Sequence, residues 1–217
     1  MIQRFLVTRP EYDYTTRYLS SWIKQCFPFI ESKKFSIIDL HRTRANRKEF
    51  HSVISKRNLS YIVLNGHGNT TKVAGNGDDE ILLEAGKDSD VLKGKVTYAV
   101  SCQSARILGK EVGKNKDTTY IGYNDDFAFI YLEKHRTRPL EDRVAAIFLD
   151  PSNAIVISLF KGHMAGEAVS RGKQEFLKNI QRLLTSKIGP DEYSALRYLV
   201  WDMKQLVLYG DSRKKII

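Results

Sequence analysis

Cysteine is scarce in this chain: Cys26 and Cys102 are its only two in 217 residues. One pair cannot build the disulfide framework of a small secreted domain, and the thiolates of a structural zinc site are missing. The five histidines, His41, His51, His67, His135 and His163, show no metal-ligand spacing either. No metal and no cofactor is expected, and at least one cysteine is expected to be a free thiol. No run of eighteen or more apolar residues occurs, and the opening Met-Ile-Gln-Arg-Phe-Leu-Val-Thr-Arg-Pro has neither a long apolar core nor a small-residue cleavage site. The expectation is no membrane partner and a cytoplasmic location. Gly-x-Gly-x-x-Gly and Gly-Lys-Ser/Thr are also absent, which speaks against a dinucleotide or P-loop phosphate site. The tetrapeptide His-Arg-Thr-Arg stands at both 41–44 and 135–138, but its flanks differ and no solenoid-length period accompanies it.

What is present describes a folded domain. With 42% hydrophobic and 28% charged residues the composition is that of a globular protein rather than a disordered one. A length of 217 residues is enough for one substantial core without forcing a second. The formal charge of +10 favours acidic partners and nucleic acid through screened electrostatics. Its cations are scattered, with small clusters at Arg42, Arg44, Arg47 and Lys48, at Lys134, Arg136 and Arg138, and at Arg213, Lys214 and Lys215. Such runs read first as solvated surface and second as a functional basic patch.

Five short apolar runs, 5–7, 35–40, 61–64, 96–100 and 118–122, are mostly β-branched or aromatic and read as buried strands. Helical periodicity fills the gaps at 15–27, 45–56 and 104–114, the last with Ile107, Leu108 and Val112 on one face. This alternation predicts an α/β fold with right-handed crossovers and a mostly parallel sheet. Between the third and fourth strands, Gly75-Asn76-Gly77-Asp78-Asp79 stands between Thr71-Lys72-Val73 and Ile81-Leu82-Leu83 and predicts a β-hairpin overhanging the carboxyl edge of the sheet. After Asp126 the pattern is mostly helical, at 139–149, 151–160, 164–184 and 190–208, broken by Pro151, Gly162 and Gly189-Pro190. The organisation is one domain over 1–217, with a sheet core at 1–126 and a mostly helical part at 127–217.

Two strand ends carry chemistry. The third strand runs into Asn65-Gly66-His67-Gly68 and the fourth into Ser101-Cys102-Gln103-Ser104, followed by a helix. If the strands are neighbours, imidazole and thiol emerge side by side. A free thiol is mostly protonated at neutral pH, and both a histidine and a helix N-terminus favour the anion. Glycines around His67 permit close backbone approach, so the amides of Gly68 and Cys102 are the expected oxyanion-hole donors. The bland alternatives are a buried structural thiol at Cys102 and turn chemistry at His67. Cys26, beside Phe27 in an amphipathic stretch, reads as core.

The order of an apolar strand into His-Gly, then an apolar strand into small-Cys, resembles the caspase-like cysteine peptidases: caspases, gingipains, separases and CHAT domains. Papain-like enzymes place the cysteine first. Tyr120-Ile121-Gly122-Tyr123-Asn124-Asp125-Asp126-Phe127 and the closing Leu206-Val207-Leu208-Tyr209-Gly210-Asp211 look most like the CHAT and gingipain branches. The resemblance implies a three-layer αβα sandwich and hydrolysis of a protein or peptide substrate by a His67–Cys102 dyad. It also implies that Asp125 or Asp126, after the fifth strand, helps form the substrate pocket, where a carboxylate favours Arg or Lys. A regulatory protein partner fits this group. The competing expectation is a noncatalytic caspase-like module that binds protein or nucleic acid through its basic surface.

Overall fold

The computed structural model describes residues 3–185 and 189–216. Along the chain run β1 (Arg4–Arg9), α1 (Tyr14–Lys24), α2 (Phe27–Ser32), β2 (Ser36–His41), α3 (Arg47–Lys56) and β3 (Leu59–Asn65). The hairpin β4 (Lys72–Gly75) and β5 (Gly77–Glu84) follows, then β6 (Val96–Val100), the short α4 (Lys110–Val112) and β7 (Thr119–Tyr123). The last part holds α5 (Arg143–Phe160), α6 (Ala165–Thr185), α7 (Pro190–Gln205) and β8 (Leu206–Gly210). The central sheet has six strands in the order β2-β1-β3-β6-β7-β8, all parallel except β8. It is an α/β fold with a mostly parallel sheet.

Alternation along each strand sorts the side chains between two cores. Phe5, Val7, Tyr61, Val63, Tyr98 and Tyr123 pack with α1, α5, α6 and α7, whereas Leu6, Ile62, Leu64 and Tyr120 pack with α3 and the hairpin. Because both faces are covered, every residue of β6 and β7 is buried, which is why these strands read as continuous apolar runs.

Four local expectations are corrected. The helix expected over 15–27 breaks at Gln25 and Cys26 into α1 and α2. Pro151 does not end a helix but lies inside α5. Proline has no N–H for the carbonyl four residues earlier, and that carbonyl, on Ile147, accepts instead from the Asn179 side chain of α6 at 2.8 Å. The helix expected after Cys102 begins as a π turn at Ala105–Gly109, with the Gly109 amide donating to the Ser104 carbonyl. The extra residue rotates Ile107 outward to 46% exposure while Leu108 and Val112 stay buried. Finally, 206–208 is not helical: Leu206–Gly210 pairs antiparallel with β7.

By length and composition α5 alone among the described helices is apolar enough to cross a membrane, yet two thirds of it is buried within the fold. Its apolarity serves the core between α1, α6 and α7.

Candidate active site

Four parallel strands end side by side at the carboxyl edge of the sheet, in the order β1, β3, β6, β7. The chain leaving them carries Asp13, His67, Cys102 and the pair Asp125 and Asp126, in that same order. Ligands of open α/β sheets bind along such an edge. In the β3–β6 register Asn65 pairs with Val100, so His67 and Cys102 each lie two residues beyond one paired position. Neighbouring strands are about 4.8 Å apart. Pairing continues past the sheet: the Gly66 amide donates to the Val100 carbonyl at 3.3 Å, and Ser101 Oγ donates to the His67 carbonyl at 3.0 Å.

Gly68 has no room for a side chain. A β-carbon there would sit 2.1 Å from Ser101 Oγ, 2.7 Å from the Lys72 carbonyl and 3.3 Å from the Cys102 carbonyl. Neither the Gly68 nor the Cys102 amide has a hydrogen-bond acceptor among the described residues. The two amides expected as oxyanion-hole donors are therefore both unspent.

The partner of the imidazole comes from a distant part of the chain. His67 Nε2 lies 2.6 Å from Asp13 Oδ2. Asp13 is the N-cap of α1, and its other oxygen accepts the Thr16 amide at 2.7 Å while Thr16 Oγ1 accepts the Asp13 amide. Burial raises the Asp13 carboxyl, but the hydrogen bonds from the Thr16 amide and His67 outweigh it and hold the group below the usual carboxylate range. An ionised carboxylate only accepts, so Nε2 carries the hydrogen and Nδ1 is the basic nitrogen of the neutral ring. Asp13-x-x-Thr16 after a strand is legible as a cap; nothing local says that the second oxygen meets a histidine.

The loop bearing Asp13 is held on two sides. Arg9, at the end of β1, binds Asp39 of β2 through Nε at 2.9 Å and Ser20 of α1 through Nη1 at 2.9 Å. From the hairpin turn, Asn76 Oδ1 accepts the Glu11 amide at 2.9 Å and Asp78 Oδ1 accepts the Tyr12 hydroxyl at 2.7 Å. The Tyr12 ring meets His67 edge-on at 6.0 Å. The hairpin thus braces the chain beside the histidine.

On the other side, Cys102 is half-buried, and its thiol points to the Phe127 carbonyl at 3.8 Å. No hydrogen bond joins it to His67 among the described residues. Burial pushes the thiol up to about 11, and the carboxylates of Asp126 and Asp202 add to the shift. The acidic thiol expected from a neighbouring histidine and a helix N-terminus is not what this structure holds, because burial dominates; the helix that follows is only a π turn and one short α segment. Gln103 follows with φ of +55°, uncommon for a residue with a side chain. Its amide donates to the Asp125 carbonyl at 3.0 Å and its side chain to Asp126 Oδ1 at 3.0 Å. Asp125 Oδ1 in turn accepts the Asp126 amide at 2.9 Å, so both acids sit beside Cys102 and both shape the loop.

A second carboxyl near the thiol carries no local sequence signal. Asp202 of α7 is fully buried, accepts the Ala128 amide at 3.0 Å through Oδ1, and has no partner for Oδ2 among the described residues. Burial holds it well above the usual carboxylate range. Cys26, by contrast, is a core thiol, 2% exposed and pushed up to about 12 by burial. Among the described residues no cluster of three or more His, Cys, Asp or Glu is arranged to hold a metal ion. No protein-family model matches this chain, and no curated protein matches it significantly.

Proposed function

We propose that this protein is a cysteine endopeptidase of the caspase-like kind, nearest in pattern to CHAT-domain peptidases, with Cys102 as nucleophile, His67 as base and Asp13 orienting the imidazole. The observation that carries this reading is the succession Asp13, His67, Cys102 on three adjoining strand ends, with the first two hydrogen-bonded at 2.6 Å. A carboxylate on one nitrogen of a histidine fixes its tautomer and makes the other nitrogen the stronger base.

In the reaction the Cys102 proton passes to His67 Nδ1 as sulfur attacks the substrate carbonyl carbon and the carbonyl oxygen gathers charge against the Gly68 and Cys102 amides. The C–N bond then breaks, the departing amine takes the proton from His67, and a thioester remains. Water, giving a proton to His67, attacks that thioester; the acid leaves and the thiol regains its hydrogen. Asp125 and Asp126 beside the nucleophile favour Arg or Lys before the cleaved bond. A panel of fluorogenic peptides tests this: cleavage after Arg or Lys, lost in Cys102→Ala and His67→Ala, is expected. No cleavage of any peptide by protein whose Cys102 is demonstrably alkylatable would reject the enzyme.

One observation favours a second reading, a noncatalytic module of the same fold acting through its basic surface: the thiol faces Phe127 rather than His67. Salt-dependent retention on nucleic acid, unchanged in Cys102→Ala, is its expected signature.

A further inference from the structure

Three consecutive residues after β7 are tied in two directions. Asp126 to Leu132 runs without regular secondary structure. Within it the Asp126 carbonyl accepts from Trp201 Nε1 at 3.0 Å, the Phe127 carbonyl faces the Cys102 thiol at 3.8 Å, and the Ala128 amide donates to Asp202 Oδ1 at 3.0 Å. Just upstream the Asn124 amide donates to the Gln205 carbonyl at 2.9 Å. The outer two of the three residues are bound to α7 and the middle one to the nucleophile, so the segment is a strap lying between them.

The strengths of these ties are unequal. A thiol is a weak donor, and its contact with Phe127 is long. The bonds to Trp201 and Asp202 have ordinary lengths. Gln103, next to Cys102, also donates to the Asp125 carbonyl and to Asp126 Oδ1, each at 3.0 Å, so α7 and Gln103 together hold the strap over the thiol. Asp202 is a fully buried carboxyl with one protein partner and one unpartnered oxygen. Such groups are costly and call for an explanation beyond packing. Trp201 is 40% exposed, so one anchor of the strap is reachable from the surface without opening the core.

We propose that Trp201 and Asp202 are positioning residues that latch the segment Asp126–Ala128 across Cys102, and that release of this latch from α7 frees the thiol to turn toward His67. The proposal rests on the reading of Cys102 as a nucleophile, but its readout is thiol reactivity and needs no peptide cleavage. In the open state the Phe127 carbonyl has left the sulfur, and the burial that keeps the thiol protonated is relieved.

The test is the rate of iodoacetamide alkylation, resolved at each cysteine by peptide mass, on the full chain across pH. Trp201→Phe keeps an aromatic side chain and deletes the donor. It is expected to speed alkylation of Cys102 roughly fivefold, the loss of one neutral hydrogen bond, and to move the pH midpoint down from about 11. Adding Gln103→Met, which removes the side-chain tie between Gln103 and Asp126, is expected to speed it again. Cys26 must stay slow in both. Unchanged Cys102 rates in the single and double variants, with melting temperatures intact, would overturn the latch, as would an equal rise at Cys26, which means general loosening. Peptide hydrolysis by the wild-type protein with no response to Trp201→Phe would sink the latch and leave the peptidase standing; faster alkylation without hydrolysis does the reverse.

Discussion

The two sides of this strand edge are prepared to different degrees. On the β1–β3 side, Asp13 and His67 are hydrogen-bonded, the carboxyl is held ionised, and Arg9, Asn76 and Asp78 brace the loop around them. On the β6–β7 side, the thiol is half-buried, pushed up to about 11 and turned onto Phe127. The contrast follows from what each side is packed against. Asp13 is fixed locally by the first turn of α1, whereas Cys102 inherits its surroundings from the strap after β7 and from α7, which arrives about a hundred residues later in the chain. On the proposed reading, this is a base made ready beside a nucleophile held back.

The largest effects should come from removing either half. Cys102→Ala and His67→Ala are each expected to lower peptide hydrolysis by about 10⁴-fold or more, measured as kcat/KM. Hydrolysis surviving Cys102→Ala would end the comparison, since the two sides would then not share a reaction.

Next is the prepared side alone. Asp13→Asn keeps an oxygen for the Thr16 amide but loses the charge facing His67, and is expected to lower kcat about 10²-fold with little change in melting temperature. Asp13→Ala is expected to lose the same activity and, with the N-cap gone, about 1 kcal/mol of stability in denaturant titration. If both variants keep full kcat, the ordered histidine is structural.

The held-back side is sharpened by comparing its thiol with the other one. Cys102 should alkylate progressively faster as pH rises toward about 11, because only the thiolate reacts and burial disfavours it. Cys26, 2% exposed and raised to about 12, should stay unmodified in the folded protein over the same range. Equal rates at the two sites would show that the strap gives Cys102 no distinct environment.

The smallest effect lies away from this edge. Asn179→Leu strands the Ile147 carbonyl that Pro151 cannot serve and is expected to cost about 1–3 kcal/mol in denaturant titration, while leaving Cys102 alkylation unchanged. A change in alkylation would mean that α5 and α6 reach the thiol.

The strands were legible because the sheet is covered on both faces: burial on both sides demands continuous apolar runs, and Tyr61–Leu64 and Val96–Val100 announce themselves. The positions of His67 and Cys102 were legible for the same reason, each two residues beyond the last paired residue of its strand. Ile107 was misassigned because a π turn and an α-helix share the same residues and differ only in register. Pro151 misled because its missing hydrogen bond is replaced by a side chain from another helix. The closing segment 206–208 is apolar in a way that suits either state, and the free edge of β7 decided for a strand.

Residue by residue, then, periodicity and punctuation determined where the strands fall, that histidine and cysteine follow two of them, and that a hairpin intervenes. Strand order was a tertiary decision: placing β1 beside β3 brought Asp13 to His67, and bringing α7 against the loop after β7 laid Phe127 over the thiol. The physical reason is range. Burial patterns and turn chemistry are written in neighbouring residues, while a hydrogen bond between distant side chains exists only after the sheet has chosen its neighbours.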